Sequence, residues 1–496
     1  MSPLERALPG DALRGQSQRI ADITSNQKAG HDPATGGDHS GSDFSWLADM
    51  QASGLDTSAR IAREITANWI TRNGRWQPRT WHMPVLADRL YNWVCASSFL
   101  LAGADASFRH QFTKALARQA RHLFIAVRLG VPLPQGFAVQ QALICCALAM
   151  PDPGSRLKNG TTRLHQAIGD EVLADGGHVS RNPSVQFQAL RHLIETRTIL
   201  RNHPSGAPVW LQAAIDKMTP MLRTFVLGNG QLAAFNGAGH FDAKTIELLL
   251  KISEAGGRAV TNSPHSGYQR LASRAAIVLM DAGAPANGGR CSLENAGTLA
   301  FEMSVGKQRL IVNCGLPADG NPALMTALRG TAAHSTLCIG EMNSSEINST
   351  GFLGPRRAWR TQAVRREIDK NTLVEATHDG YRLPFGLTHK RTLYLAAEGT
   401  ELRGEDVITG TAEQPAVIRF HLHPSVQASL IEAGNSVLLK FGKIAGWRFR
   451  TSVADLTLQP SLFYDGATRR QSQQIVINFR HHGPVSVIKW RLSKED

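Results

Sequence analysis

Asp175-Gly176-Gly177-His178-Val179-Ser180-Arg181-Asn182-Pro183 is the stretch from which the rest of the chain is read. Two adjacent glycines permit a backbone turn that a side chain would obstruct. Pro183 suits a first helical turn, where its missing N–H has no partner to lose. Helical runs flank the stretch, over 161–173 before it and 184–200 after it. It is therefore a short polar loop between helices, with His, Ser, Arg and Asn gathered in five residues. Loops of this kind carry function on a rigid scaffold. They also serve as plain connectors whose Asp and Asn cap helix ends.

Outward from the loop, the 44–257 segment keeps helical periodicity. Ile61, Ile65 and Trp69 recur every four residues, and Leu86, Leu90, Trp93 and Val94 form an amphipathic stripe. Phe108, Phe112, Leu116, Ala120, Leu123, Phe124 and Val127 continue the pattern. Further helices are predicted over 139–150, 209–227 and 243–255, with Gly, Pro and Asn breakers between them. Helical hairpins in an incomplete ring or an irregular bundle would both account for this all-α segment. After about Gly267 the period changes to two. Residues 298–305 alternate, turn at Gly306-Lys307-Gln308 and return as 309–312; a second hairpin joins 392–395 to 402–404. About ten short strands with Gly-rich turns read as an antiparallel β-sandwich. Residues 1–42 have almost nothing to bury and read as a disordered lead. The expected domains are thus 43–258, helical, and 259–496, β.

The chain carries 54 Lys and Arg against 40 Asp and Glu, a net charge of +14. The basic residues are spread along the chain, which fits a diffusely positive surface for an acidic polymer. No dense basic stripe or aromatic–basic motif points to nucleic acid. Six cysteines, Cys95, Cys145, Cys146, Cys291, Cys314 and Cys338, form no CxxC pair and read as buried free thiols. No apolar segment is long enough to be a transmembrane span. Residues 1–30 are polar, without the apolar core of a secretory signal. Nothing in the sequence sets an oligomeric state.

Four motifs follow in order: the 175–183 loop; Arg329-Gly-Thr-Ala-Ala-His334-Ser-Thr; His378-Asp379-Gly380-Tyr381 with His389-Lys-Arg391; and Gly404-Glu405-Asp406 with Arg419-Phe-His421-Leu-His423-Pro424. Together they resemble the heparinase II/III-like polysaccharide lyase family, bacterial branch, over residues 44 to 495. The resemblance implies an N-terminal (α/α) incomplete toroid followed by a C-terminal antiparallel β-sandwich, with anionic polysaccharide as partner. It also implies a cell-envelope or periplasmic location, whereas the polar N-terminus suggests a cytoplasmic one.

Lyases of the family it resembles break the bond next to a uronic acid by β-elimination. The uronate carboxylate must be neutralised, a base must take the adjacent proton, and an acid must protonate the leaving oxygen. In place of the family's own tyrosine, which this chain lacks, Tyr381 is the replacement candidate for proton transfer, with His334 and His178 as its catalytic partners. Arg181, Asn182, Asn236, His240 and Arg391 are the expected substrate-binding groups. The chain departs from the lytic pattern at Val185, which stands where such members carry a tyrosine, and at Gln140-Gln141, where an Asn-His pair would fall. Valine transfers no proton. Two functions therefore stay open: a lyase acting on uronate polymer, or a non-catalytic carbohydrate-binding or envelope-polymer assembly protein. No cofactor is required. A structural zinc, of the kind some family members hold in the sandwich, would take His334 and His389, with Asp379 as a third ligand.

Overall fold

A computed structural model describes residues 41–151, 153–285, 293–317, 322–348, 353–442, 446–466 and 468–495. Most of the 1–42 lead, and Cys291, lie outside the described residues. Two compact units emerge. One takes in the described residues up to Glu171, with Gln188–Ile215 and Lys251–Glu254; the other joins Val172–Phe187, Asp216–Leu250 and the chain from Ala255 onward. Secondary structure changes type between Ile252, where the last helix of the run ends, and Asn262, where the first strand begins. By compactness, however, the 175–183 loop and the 236–240 segment group with the strands.

The helices are α1 (Trp46–Ala52), α2 (Asp56–Asn73), α3 (Met83–Cys95), α4 (Ser97–Leu101), α5 (Ala106–Arg128), α6 (Ala138–Leu148), α7 (Gly154–Glu171), α8 (Pro183–Arg201), α9 (Val209–Phe225) and α10 (Ala243–Ile252). The stripe read along α5 is its buried face: Phe108, Phe112, Ala120, Leu123 and Val127 point inward. Asp105 caps it, accepting from the Phe108 N–H at 2.7 Å. Phe44, Trp69 and Trp93 pack edge to face with centroids 5.2–5.7 Å apart. Each such pair contributes about 0.5–1.5 kcal/mol beyond its burial.

The strands number more than the sequence suggests: β1 (Asn262–Ser263), β2 (Tyr268–Ala272), β3 (Ala276–Asp281), β4 (Phe301–Val305), β5 (Gln308–Val312), β6 (Leu337–Ile339), β7 (Thr361–Ile368), β8 (Asn371–His378), β9 (Thr388–Leu395), β10 (Glu401–Thr409), β11 (Gln414–Leu422), β12 (Gln427–Ile431), β13 (Ser436–Lys440), β14 (Trp447–Thr451), β15 (Leu456–Asp465), β16 (Thr468–His481) and β17 (Val485–Lys494). They form two antiparallel sheets. One runs β1-β2-β3-β4-β5-β11-β16-β15, with β6 also on β11; the other runs β12-β13-β14-β17-β10-β9-β8-β7. The 4–5 and 9–10 hairpins are those the sequence predicts. Inward residues of both sheets share one core containing Phe301, Phe420, Phe449 and Trp490. Gly404 lies opposite Trp490 in the ladder, and a Cβ there would collide with the indole. The glycine is what lets the ring lie flat across its neighbour strand.

Candidate functional site

The 175–183 loop is built as a lock. Gly176 has φ +86°, and a Cβ on it would run into the Lys217 carbonyl. Asp175 accepts from the backbone N–H groups of His265 (2.9 Å) and Ser266 (2.7 Å). The Gln186 amide closes the loop from within: Oε1 accepts from the His178 N–H at 2.7 Å, and Nε2 donates to the Gly176 and Met218 carbonyls at 3.0 Å. Asn182 caps α8, accepting from Ser184 N–H at 2.7 Å, while its Nδ2 donates to the Asn236 carbonyl at 2.7 Å. His178 is 1% exposed, with Nδ1 2.8 Å from the Ser180 hydroxyl.

Arg181 and Asn236, both expected to meet substrate, are buried at positive φ. The Arg181 guanidinium pairs with Asp281 and donates to the carbonyls of Ser266 and Ala284, each at 2.7 Å. Asn236 Nδ2 donates to the Tyr268 hydroxyl at 2.9 Å. Arg181, Asn182 and Asn236 thus tie the loop to β2 and β3. Arg181 lines a polar cavity of about 290 Å³ with Asn262, His265, Gln269, Gly283 and Thr361.

The sandwich-side candidates are also interior. Tyr381 is fully buried, donating to the Leu337 carbonyl at 3.1 Å, and burial pushes its hydroxyl well above the usual phenol range. The side chain expected to transfer a proton thus lies in the interior, with no surface open to solvent. His334 is 3% exposed with both ring nitrogens engaged: Nδ1 at 2.8 Å from the Gly330 carbonyl, Nε2 at 2.9 Å from the Asn295 amide. Burial lowers its pKa to about 4, so it stays neutral.

Ladder register assembles the largest polar network. His378 lies opposite His389, and Arg391 opposite Asp406. Gly380 N–H donates to His378 Nδ1, so His378 Nε2–H donates to His389 Nδ1 at 3.1 Å, and His389 Nε2–H donates to Asp406 at 2.7 Å. Asp406 also accepts from Arg391 Nε (2.8 Å), Arg391 Nη2 (3.1 Å) and the Trp490 indole (2.9 Å). Burial alone would raise the Asp406 pKa, but Arg391 and His389 hold it below the usual carboxylate range. Burial depresses both histidines. Arg391, expected to bind substrate, is 0% exposed and serves this network instead.

Metal ligation finds no cluster: among the described residues no group of three His, Cys, Asp or Glu is arranged to hold an ion. His334 and His389 spend their nitrogens on protein partners, and Asp379 accepts from the Arg360 N–H at 3.0 Å. Arg419 and His421 share a face of β11, which ends one residue before His423, and His421 is buried against Ser461 (2.8 Å) and the Ala332 carbonyl (3.0 Å). Cys145, Cys146, Cys314 and Cys338 are buried free thiols, and Cys95 is half-buried.

Of the expected site residues His240 alone is substantially accessible. Its Nδ1 lies 2.6 Å from Asp465, with side chains 34% and 25% exposed. The sequence reading missed a cluster in the helical unit. Asp88 and Tyr91 on α3, Gln141 on α6, and Arg191, His192 and Glu195 on α8 converge there. Gln141 Nε2 donates to Glu195 at 2.8 Å, and His192 Nε2 lies 3.9 Å from Asp88. Burial pushes the Asp88 carboxyl up to about 6 against the pull of Arg191. The signal was the i, i+3 and i, i+4 spacing of charged residues inside otherwise apolar helices.

The family profile described as Heparinase II/III-like, C-terminal, matches residues 255–491. A curated relative, FtsZ-localized protein C of Caulobacter vibrioides, is 32% identical over 473 residues, covering 91% of this chain and 81% of the relative. Among solved structures, Heparinase III aligns with a TM-score of 0.72 at 14% identity, over 92% of this chain and 77% of its own. A heparan sulfate lyase HepC mutant from Pedobacter heparinus aligns at 0.66 and 15%, over 92% and 76%. At such identities these two establish the fold: a helical toroid with a C-terminal β-sandwich. The chain belongs to the heparinase II/III-like family.

Proposed function

We propose that this protein is a non-catalytic member of its family, one that binds an anionic envelope polymer in support of cell division. One observation carries the reading. Val185 stands in the place of the family's tyrosine, and the side chains that could replace it are interior and hydrogen-bonded to protein, with Tyr381 in the sandwich core and His334 bonded at both nitrogens. A proton-transfer group must come within about 2.6–3.2 Å of the proton it moves, and these side chains face protein instead. The basic balance of the chain, +14, supports an acidic polymer as partner. The name of the Caulobacter relative, which ties that protein to FtsZ, supports the division setting.

The retained-lyase reading rests on the half-exposed His240–Asp465 pair, which could act as a base with its orienting carboxylate. Incubation with heparosan, alginate, pectate and the native exopolysaccharide separates the two. We expect polymer binding without the ultraviolet absorbance of an unsaturated uronate. Product formation that disappears in His240→Ala would overturn the non-catalytic reading.

A further inference from the structure

The helical unit carries a groove that the lyase pattern does not use. It has a volume of about 530 Å³ and lies between α5, α6 and α7, within the span of about 300–1,000 Å³ typical of ligand sites. Its floor is apolar: Phe124 and Val127 of α5 and Leu143 of α6. Its rim is basic: Arg128 closes α5, while Arg156 and Arg163 stand two turns apart on α7. Asn159, Thr162 and Gln166 fill the space beside them. The residues on α7 recur at three- and four-residue steps, so they form one face of that helix. All six rim side chains belong to exposed residues. No carboxylate lines the groove, and none of the three arginines has an ion-pair partner among the described residues.

We propose that this groove binds a short stretch of carboxylated glycan, an inference that rests on the anionic-polymer reading above. Each part of the lining has a counterpart in such a ligand. Arginine forks match carboxylates with bidentate, charge-assisted hydrogen bonds. Amide and hydroxyl side chains between them match ring hydroxyls, and the floor takes the apolar face of a sugar. An acidic peptide would satisfy the arginines but has no use for so many interleaved neutral donors and acceptors.

The test uses the full chain and oligomers of alginate, galacturonate and heparosan, with affinity read by calorimetry. Arg156→Ala/Arg163→Ala removes two charge-assisted contacts, and an affinity loss of about tenfold or more is expected. Lys114→Ala/Arg121→Ala removes the same two charges from exposed sites on α5 outside the groove and leaves binding unchanged. Thermal unfolding of each variant checks the fold. If wild type binds and the double variant binds equally well, the groove is wrong while glycan binding stands. If wild type binds none of the oligomers, the anionic-polymer reading falls and the groove falls with it. Displacement of the glycan by polyglutamate at equal affinity overturns glycan as the occupant.

Discussion

Replacing Asp406 by leucine tests whether the interior polar network is structural. Asp406 accepts four hydrogen bonds, three from charged or histidine donors and one from the Trp490 indole. It is also the counter-ion of Arg391, and both are fully buried. Breaking a buried pair from one side leaves an uncompensated charge and costs about 3–5 kcal/mol. The stranded indole N–H adds about 1–3 kcal/mol. Against a total stability of about 5–15 kcal/mol, the single variant stands at the edge of unfolding. Removing the charge as well, in Asp406→Leu/Arg391→Met, returns part of that loss. The return is incomplete, because Arg391 Nη1 also donates to the carbonyls of Leu299 (3.0 Å) and Ser335 (2.8 Å), which the double variant leaves unpaired. A residual loss of about 2 kcal/mol is expected, with a coupling energy in the range of about 0.5–3 kcal/mol. Urea unfolding gives the totals, and hydrogen exchange at β9, β10 and β17 amides reads the sandwich alone, since two compact units need not unfold together. A single-variant loss under about 1 kcal/mol, or strictly additive losses, would refute the view that Asp406 exists to neutralise Arg391.

Three further outcomes are expected. His334, His378, His389 and His421 are buried and held below the ordinary imidazole value of 6.5, His334 at about 4 and His421 at about 3. The unfolded chain therefore takes protons first. Stability is full above pH 7 and falls as pH drops through 6.5 toward those folded values, by about 2 kcal/mol each for His334 and His421 at pH 5, with His378 and His389 adding in the same direction. Urea midpoints that stay flat from pH 8 to 5 would contradict this. Gln186→Leu removes all three bonds that close the 175–183 loop and leaves buried groups unpaired, a loss of about 1–3 kcal/mol visible as a lowered melting temperature; an unchanged melting temperature argues against the lock. Val185→Tyr restores the family's tyrosine at a half-buried position, yet it is expected to yield no unsaturated product from any uronate polymer. Detectable product would mean that the rest of a lytic site survives.

The fold was legible because its two periodicities are long and clean. The α5 stripe, the helix opened by Pro183 and the 4–5 and 9–10 hairpins follow from spacing alone. Missed strands such as β7 and β8 have a different cause. The β7 sequence Thr361–Ile368 is rich in charge, and its largely exposed face hides the alternation that pairing with β8 reveals. The site was less legible, for a physical reason. A histidine or arginine in a motif has the same letter whether it faces solvent or a carboxylate ten strands away. Arg391 and Asp406 are 15 residues apart in the chain, yet the β9–β10 register places them opposite each other. What spacing does not show is that this face of the hairpin is buried, which is what makes them neutralise each other.

The loop at 175–183 has a structural duty that is independent of any proton transfer. Asp175, Gly176, Arg181 and Asn182 each bind backbone or Asp281 within their own unit. Those contacts hold the first turn of α8 against β2 and β3 whether or not a tyrosine follows Pro183. Stability alone is therefore reason enough to keep these residues, whatever the chemistry at position 185. Position 185 has no such duty: its side chain is half-buried and its backbone N–H is served by the Asn182 side chain. Gln186, one residue on, turns inward and supplies the three hydrogen bonds that keep the loop shut. A conserved-looking loop and an absent proton-transfer group are thus one arrangement seen from two adjacent side chains.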